Sequence, residues 1–273
     1  MTDALASPSL RPQVAEAFAA ACRAADAARP AALAHFRAEG LSAENKDARG
    51  GFDPVTAADR GVEAAIREVL AHERPADGVL GEEQAARPST SGLTWVVDPI
   101  DGTRAFLIGA PTWGVLIGLN DGTRPVMGLM DQPHVGERFW GDGDSAWWAK
   151  DGEAPRRMRA RRGVALAEAR LCSTFPEVGT EDERLAFERV RDRARLTRYG
   201  LDCTGYALLA AGGVDLVVEA GLHAYDVQAL IPIVEGAGGV ITTWDGGDPQ
   251  DGGRVLAAGS PELHAEARAL LSA

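Results

Sequence analysis

Apolar positions recur with helical spacing along residues 12–39 (Val14, Phe18, Ala21, Cys22), and Pro30 should interrupt that run, giving one or two helices. A loop over 46–51 leads to Asp53. Thr56 followed by Asp59 has the spacing of a capping box, and Val62, Ala65, Ile66, Val69 and Leu70 then share one helical stripe. Residues 78–82 and 94–98 are short apolar runs of strand length. Over 113–148 the period changes to strand and turn: VLIGL (115–119), Asn120-Asp121-Gly122, PVMGLM (125–130) and ERFWGDGDSAWW (137–148) predict an antiparallel meander. The second half alternates. Strands are expected at 169–173, 195–199, 214–219, 240–243 and 255–258, with helices at 181–193, 205–211 and 261–271. A further helix should be capped by Asp226, carry Val227, Leu230, Ile231 and Val234, kink at Pro232 and end at Gly238-Gly239. Such alternation reads as mixed α and β, with sheets layered between helices.

A chain of 273 residues is long enough for one large or two closely fused domains. The arginine-rich stretch 150–163 is the best boundary, dividing an N-terminal half (1–150) from a C-terminal half (151–273). The formal charge of −12 argues against nucleic acid or an anionic membrane as partner. No apolar run approaches the length of a membrane span, and the amino terminus has acidic Asp3 rather than a basic and then apolar signal pattern, so a cytoplasmic protein is expected. Cys22, Cys172 and Cys203 are scattered and odd in number, as reduced thiols are. None begins a C-x5-R string, which argues against a cysteine-nucleophile phosphatase. The five histidines show no ligand spacing, which disfavours a histidine-rich metal site.

The chemistry concentrates in Trp95-Val-Val-Asp-Pro-Ile-Asp-Gly-Thr103. An apolar strand runs into two carboxylates three residues apart, and with the Ile100 carbonyl between Asp98 and Asp101 three oxygens can converge as Mg²⁺ requires. The amides of Gly102 and Thr103 can cap an anion if a helix starts there. Alone, such a string is also compatible with a simple Asx turn. Three more acidic elements accompany it, each at the end of a predicted element: Asp53-Pro-Val-Thr56, Gly81-Glu82-Glu83 and the segment from Glu219 to Asp226.

With DPVTAAD (53–59), GEE (81–83), WVVDPIDGT (95–103) and YDVQALIPIVEGAGG (225–239) in this order, the chain resembles the inositol monophosphatase family of magnesium-dependent phosphomonoesterases over residues 46–245. The resemblance implies a five-layered αβαβα sandwich of the α+β class. It also implies metal ligation by Glu82, Asp98, Asp101, Asp226 and the Ile100 carbonyl. Two or three Mg²⁺ ions are implied, with Mn²⁺ as the alternative. Asp53 and Thr103, with Glu82, match the residues that orient and activate the attacking water, and Gly102 and Thr103 match the phosphate grip. Attack is direct, without a phosphoenzyme. Relatives are commonly homodimers, and Trp140, Trp147 and Trp148 are candidates for an apolar patch or for core.

Glu219 stands where relatives place a carboxylate against the substrate's remote polar group, which suits a hydroxyl or an ammonium. GTRAFLIGAPTWG (102–114), LDCTGYALLAAGGVDLVVEAG (201–221) and IPIVEGAGGVITTWDGG (231–247) resemble the histidinol-phosphatase branch, implying L-histidinol phosphate as substrate and a place in histidine biosynthesis. Arg104 and Trp113 are then expected near the pocket mouth. The alternatives are inositol 1-phosphate or another sugar or nucleotide monophosphate. From a different class, a non-catalytic regulator binding metal and polyol phosphate is the remaining alternative.

Overall fold

The alanine-rich N-terminal stretch forms one uninterrupted helix, α1 (Pro12–His35), with Pro30 inside it. The computed structural model describes residues 10, 12–45 and 54–273, so the expected loop over 46–51 and Asp53 lie outside the described residues. Pro30 lacks the N–H that would meet the Asp26 carbonyl, a cost of about 3 kcal/mol in a free helix. Burial overrides it. Ala20, Ala21, Ala24, Ala25, Ala28 and Ala32 are buried where α1 packs on α2 (Ala57–Glu73), which contributes Ala58, Val62, Ile66 and Leu70. The predicted capping box opens α2: Thr56 Oγ1 accepts from the Ala58 amide at 3.1 Å, and Asp59 Oδ2 accepts from the Thr56 amide at 2.8 Å. Before it, β1 (Glu44–Asn45) pairs with β2 (Pro54–Val55).

The first large sheet takes the strands in chain order: β3 (Gly78–Gly81), β4 (Thr94–Asp101), β5 (Gly114–Asn120), β6 (Pro125–Gln132), β7 (Glu137–Gly141), β8 (Ala146–Lys150) and β9 (Arg156–Arg157). Only the β3 and β4 pair is parallel, and the predicted meander is the antiparallel remainder. Two-residue alternation sorts its side chains. Val115, Ile117 and Leu119 face the α1–α2 layer, whereas Leu116 and Met130 face the interior between the sheets. Trp140 is core, its ring tilted against that of Phe18 with centroids 5.4 Å apart, while half-buried Trp147 and Trp148 lie under the guanidinium groups of Arg157 and Arg156.

The second sheet has the order β11-β10-β12-β14-β13, with β10 (Arg170–Ser173), β11 (Leu196–Tyr199), β12 (Leu216–Leu222), β13 (Val240–Thr243) and β14 (Gly253–Ala258). Its outer face packs on α4 (Glu181–Arg191) and α8 (Pro261–Leu271) through Leu171, Leu216, Val218 and Leu256. Its inner face presents Cys172, Val217, Val255 and Ala257 to α5 (Cys203–Ala210), α6 (Ala224–Val227) and α7 (Leu230–Gly236), which also cover the first sheet. Helix, sheet, helix, sheet, helix is the five-layered αβαβα sandwich of the α+β class.

Two helices replace the single one expected after Asp226. Gln228 and Ala229 keep right-handed helical dihedrals, but Pro232 has no N–H for the Gln228 carbonyl, so the ladder opens there without a kink in φ and ψ. The inner helices approach the first sheet closely because Gly118, Gly128 and Gly141 pair across β5, β6 and β7 to form a trough without side chains. A Cβ on Gly128 would stand 1.8 Å from the Ala229 carbonyl oxygen, and one on Gly141 would stand 2.4 Å from that of Pro232.

Candidate active site

Side chains three apart on a regular strand point to opposite faces, so Asp98 and Asp101 should diverge. The register shows why they do not. Asp98 pairs with Leu116 and Asp101 with Gly114, so β4 carries one residue more than β5 between these points. That β-bulge returns both carboxylates to one side. It also extends β4 beyond the expected end at residue 98. Within the bulge Asp98 Oδ1 accepts from the Ile100 amide at 3.0 Å, and the Ile100 carbonyl accepts from Thr103 Oγ1 at 3.0 Å. Asp101 Oδ2 accepts from the Cys203 amide at 2.6 Å, tying β4 to the start of α5.

Asp226 comes from α6, but not as its cap. His223 is the N-cap residue and Asp226, three residues on, accepts from the His223 amide at 2.6 Å. One carboxylate oxygen from each of Asp98, Asp101 and Asp226 lies within 4.8 Å of the others. Burial and then the charges of Glu82, Asp101 and Asp226 push the Asp98 carboxyl well above the usual range; burial and then Asp202 and Asp226 do the same to Asp101. Crowded carboxylates of this kind repel unless a cation joins them. The cluster's donors are oxygens alone, the set that suits a hard divalent ion.

Glu82 lines the same cavity but stands outside that tight cluster. Its turn is held by Glu63, a buried α2 carboxylate absent from the sequence-derived candidates. Glu63 Oε2 accepts from the Glu83 amide at 2.8 Å, and Oε1 accepts from the Gln84 amide at 3.2 Å and from Arg67 Nε at 2.7 Å. Gly81 leaves room for it, since a Cβ there would be 2.2 Å from Glu63 Oε1. Glu63→Gln turns an amide donor toward these backbone donors, so it is expected to weaken Mg²⁺ binding about tenfold or more in calorimetric titration. Unchanged affinity would show that the turn holds Glu82 without it.

A helix does start at Thr103: α3 (Thr103–Leu107) follows Gly102, whose φ of 86° is the left-handed region and whose Cβ would meet the Thr112 carbonyl at 2.9 Å. Arg104 lines the cavity and its guanidinium lies 4.6 Å from the centroid of the Phe175 ring. Trp113 does not reach the mouth. It is buried against Phe36 and Phe106, centroids 5.2 and 4.9 Å away, because β5 begins beside it and its ring turns toward α1. Its indole N–H has no hydrogen-bond partner among the described residues.

The cavity, about 460 Å³, is lined by the acidic cluster together with residues of α5 and β12. Glu219 is deeply buried there: Thr174 Oγ1 and Tyr206 OH donate to its two oxygens, the second at 3.1 Å. Burial lifts its carboxyl to about 7, opposed mainly by the Thr174 hydroxyl. Beside it Asp202, also missed in the sequence, is lifted to about 6 by burial, with Arg104 opposing and Asp226 adding to the rise. Asp98, Ile100, Asp101, Gly102, Thr103, Arg104, Glu219 and Asp226 thus share one cavity with Glu82.

The sequence model of the inositol monophosphatase family matches residues 13–273. Over 230 residues the chain is 36% identical to a histidinol-phosphatase of Mycobacterium tuberculosis, covering 83% of this chain and 88% of that one. It is 38% identical over 227 residues to the chloroplastic bifunctional phosphatase IMPL2 of Arabidopsis thaliana, covering 79% of this chain but only 64% of the plant protein. Among solved structures, an inositol monophosphatase from Zymomonas mobilis superposes with a TM-score of 0.83 at 38% identity, over 96% of this chain and 100% of that one. Fold and relatives define a metal-dependent phosphoric monoester hydrolase. The chain belongs to the inositol monophosphatase family. Among the described residues no helix is long and apolar enough to cross a membrane.

Proposed function

We propose that the chain is a Mg²⁺-dependent histidinol-phosphatase, converting L-histidinol phosphate and water to L-histidinol and phosphate. The observation that carries this reading is the buried Glu219, fixed by two hydroxyls in the same cavity as the carboxylate cluster, where it can meet the alcohol half of a bound ester. A carboxylate in that place suits an ammonium. The histidinol-phosphatases of Mycobacterium tuberculosis and Streptomyces coelicolor, 36% and 34% identical, support it.

Asp98, Asp101, Asp226, Glu82 and the Ile100 carbonyl would hold the metal, whose charge polarises phosphate oxygens and makes bound water acidic at neutral pH. The amides of Gly102 and Thr103 bind the phosphoryl oxygens. Thr103 lines the cavity with its Oγ1 hydrogen given to the Ile100 carbonyl, which leaves that oxygen as an acceptor to orient the attacking water. Asp53 takes that water's proton.

A second reading, inositol 1-phosphate as substrate, is supported by the likeness to the Zymomonas mobilis inositol monophosphatase. Phosphate release from the two esters, with Mg²⁺ and with chelator, separates them. A metal-dependent preference of about tenfold or more for histidinol phosphate is expected. Equal or reversed rates overturn the substrate assignment, and release unaffected by chelator overturns the metal role.

A further inference from the structure

We propose that Asp202 is a specificity-determining residue that pairs with a cationic group on the alcohol half of the substrate. The inference rests on the phosphomonoesterase reading of this cavity and goes beyond it by selecting charged over neutral alcohols.

Asp202 occupies the N-cap position of α5, where an aspartate ordinarily accepts from its own helix amides. It makes no such bond. The first amide of α5, that of Cys203, is taken by Asp101 instead. The Asp202 carboxylate has no side-chain hydrogen bond among the described residues and lines the cavity beside Glu219 and Arg104. Its backbone is held at φ 46°, ψ −138°, a region that disfavours side chains, and Arg37 is the other non-glycine residue with positive φ among those described. Neither capping nor backbone comfort explains an acid at this position; a charge directed into the cavity does.

Electrostatics indicate what that charge meets. The cavity lining carries Glu82, Asp98, Asp101, Asp202, Glu219 and Asp226 against one arginine, Arg104, whose guanidinium is stacked on Phe175. Divalent ions held by Asp98, Asp101 and Asp226 offset the charge of that cluster and of the phosphate. Asp202 lines the cavity next to the cluster, its neighbour Cys203 binding Asp101 through the backbone amide, and Glu219 has both oxygens engaged by hydroxyls. A neutral polyol would cover Asp202 and leave a desolvated carboxylate offset only in part by the charge of Arg104, whereas an ammonium replaces the lost water with an ion pair. The ligand class is therefore a phosphate monoester of an amino alcohol.

The test compares kcat/KM for L-histidinol phosphate and inositol 1-phosphate in the Mg²⁺-loaded wild type, in Asp202→Asn and in Asp202→Gly. Glycine accepts the φ of 46° without strain, so the second variant keeps the test valid should the first fold poorly. The ratio of cationic to neutral substrate should fall roughly 10–100-fold in both variants, the range for one lost hydrogen bond to a charged group, and chiefly through KM of the cationic ester. An unchanged ratio, or equal losses on both substrates, overturns the proposal and makes Asp202 a support for Arg104 or α5. If the wild type releases no phosphate from histidinol phosphate, the substrate reading has failed by itself. Phosphoethanolamine against glycerol phosphate then puts the same question to Asp202, with the same two outcomes.

Discussion

Asp98→Asn is expected to lower phosphatase activity by on the order of 10³-fold and at the same time to raise the melting temperature of the metal-free protein. Both effects come from one placement. Asp98 is fully enclosed on β4, with the charges of Glu82, Asp101 and Asp226 around it. Without a cation its ionised form is opposed by burial and by its neighbours, so its folded pKa lies well above the ordinary value near 4. Its cost to stability is absent below that ordinary value, where it is protonated folded and unfolded. The cost grows as pH climbs toward the folded pKa, because only the unfolded chain then sheds the proton freely. Asparagine keeps an acceptor for the Ile100 amide and removes the charge. Each kcal/mol released raises the melting temperature by about 2–4 °C in a chain of this size. Thermal scans with chelator at pH 4 and pH 8 should show the variant's advantage only at pH 8. Added Mg²⁺ should erase it by stabilising the wild type more. A variant that melts below the metal-free wild type at pH 8 would mean that Asp98 holds the bulge together by bonds that asparagine cannot make.

How much of this was readable beforehand differs by residue, for physical reasons. The DPIDGT string and its distant partners name the carboxylates because ligand chemistry constrains residue type. Helix α8 was readable to the residue, since Ser260 caps it and Pro261 fits its first position. That Asp98 and Asp101 share a face depends on pairing with β5, which the spacing alone does not contain. Asp226 sits one capping box away from its expected place because His223, an unusual cap, starts α6. Glu63 left a faint signal, an acid on the buried side of an amphipathic helix with Arg67 four residues on. Asp202 lies inside the 201–221 string but nothing in the letters sets it apart, because its positive φ and its place next to Asp101's bond to the Cys203 amide exist only in the folded chain.

The glycines of the first sheet were visible as letters but not as a row, and they carry the largest expected loss of stability. Gly128→Ala should destabilise the fold by about 3 kcal/mol or more, the upper end for overpacking, because the methyl would meet a main-chain oxygen that has no alternative rotamer. The Ala229 carbonyl, 1.8 Å from the built Cβ, belongs to the link between α6 and α7, so relief requires moving both. At about 2–4 °C per kcal/mol the melting temperature should drop by roughly 6–12 °C. Asp226 lies three residues before Ala229, so the displacement that relieves the clash also loosens the carboxylate cluster, and Mg²⁺ affinity should fall with stability. Gly61→Ala makes the same chemical change on α2, where the new methyl meets the Ala31 Cβ at an ordinary 3.7 Å. There the gain in helix propensity, roughly 0.5–1 kcal/mol, should raise the melting temperature and leave metal binding alone. Opposite signs for these two substitutions locate the constraint in the close approach of α6 and α7 to the sheet. A neutral Gly128→Ala would show instead that the inner helices ride above the trough in solution.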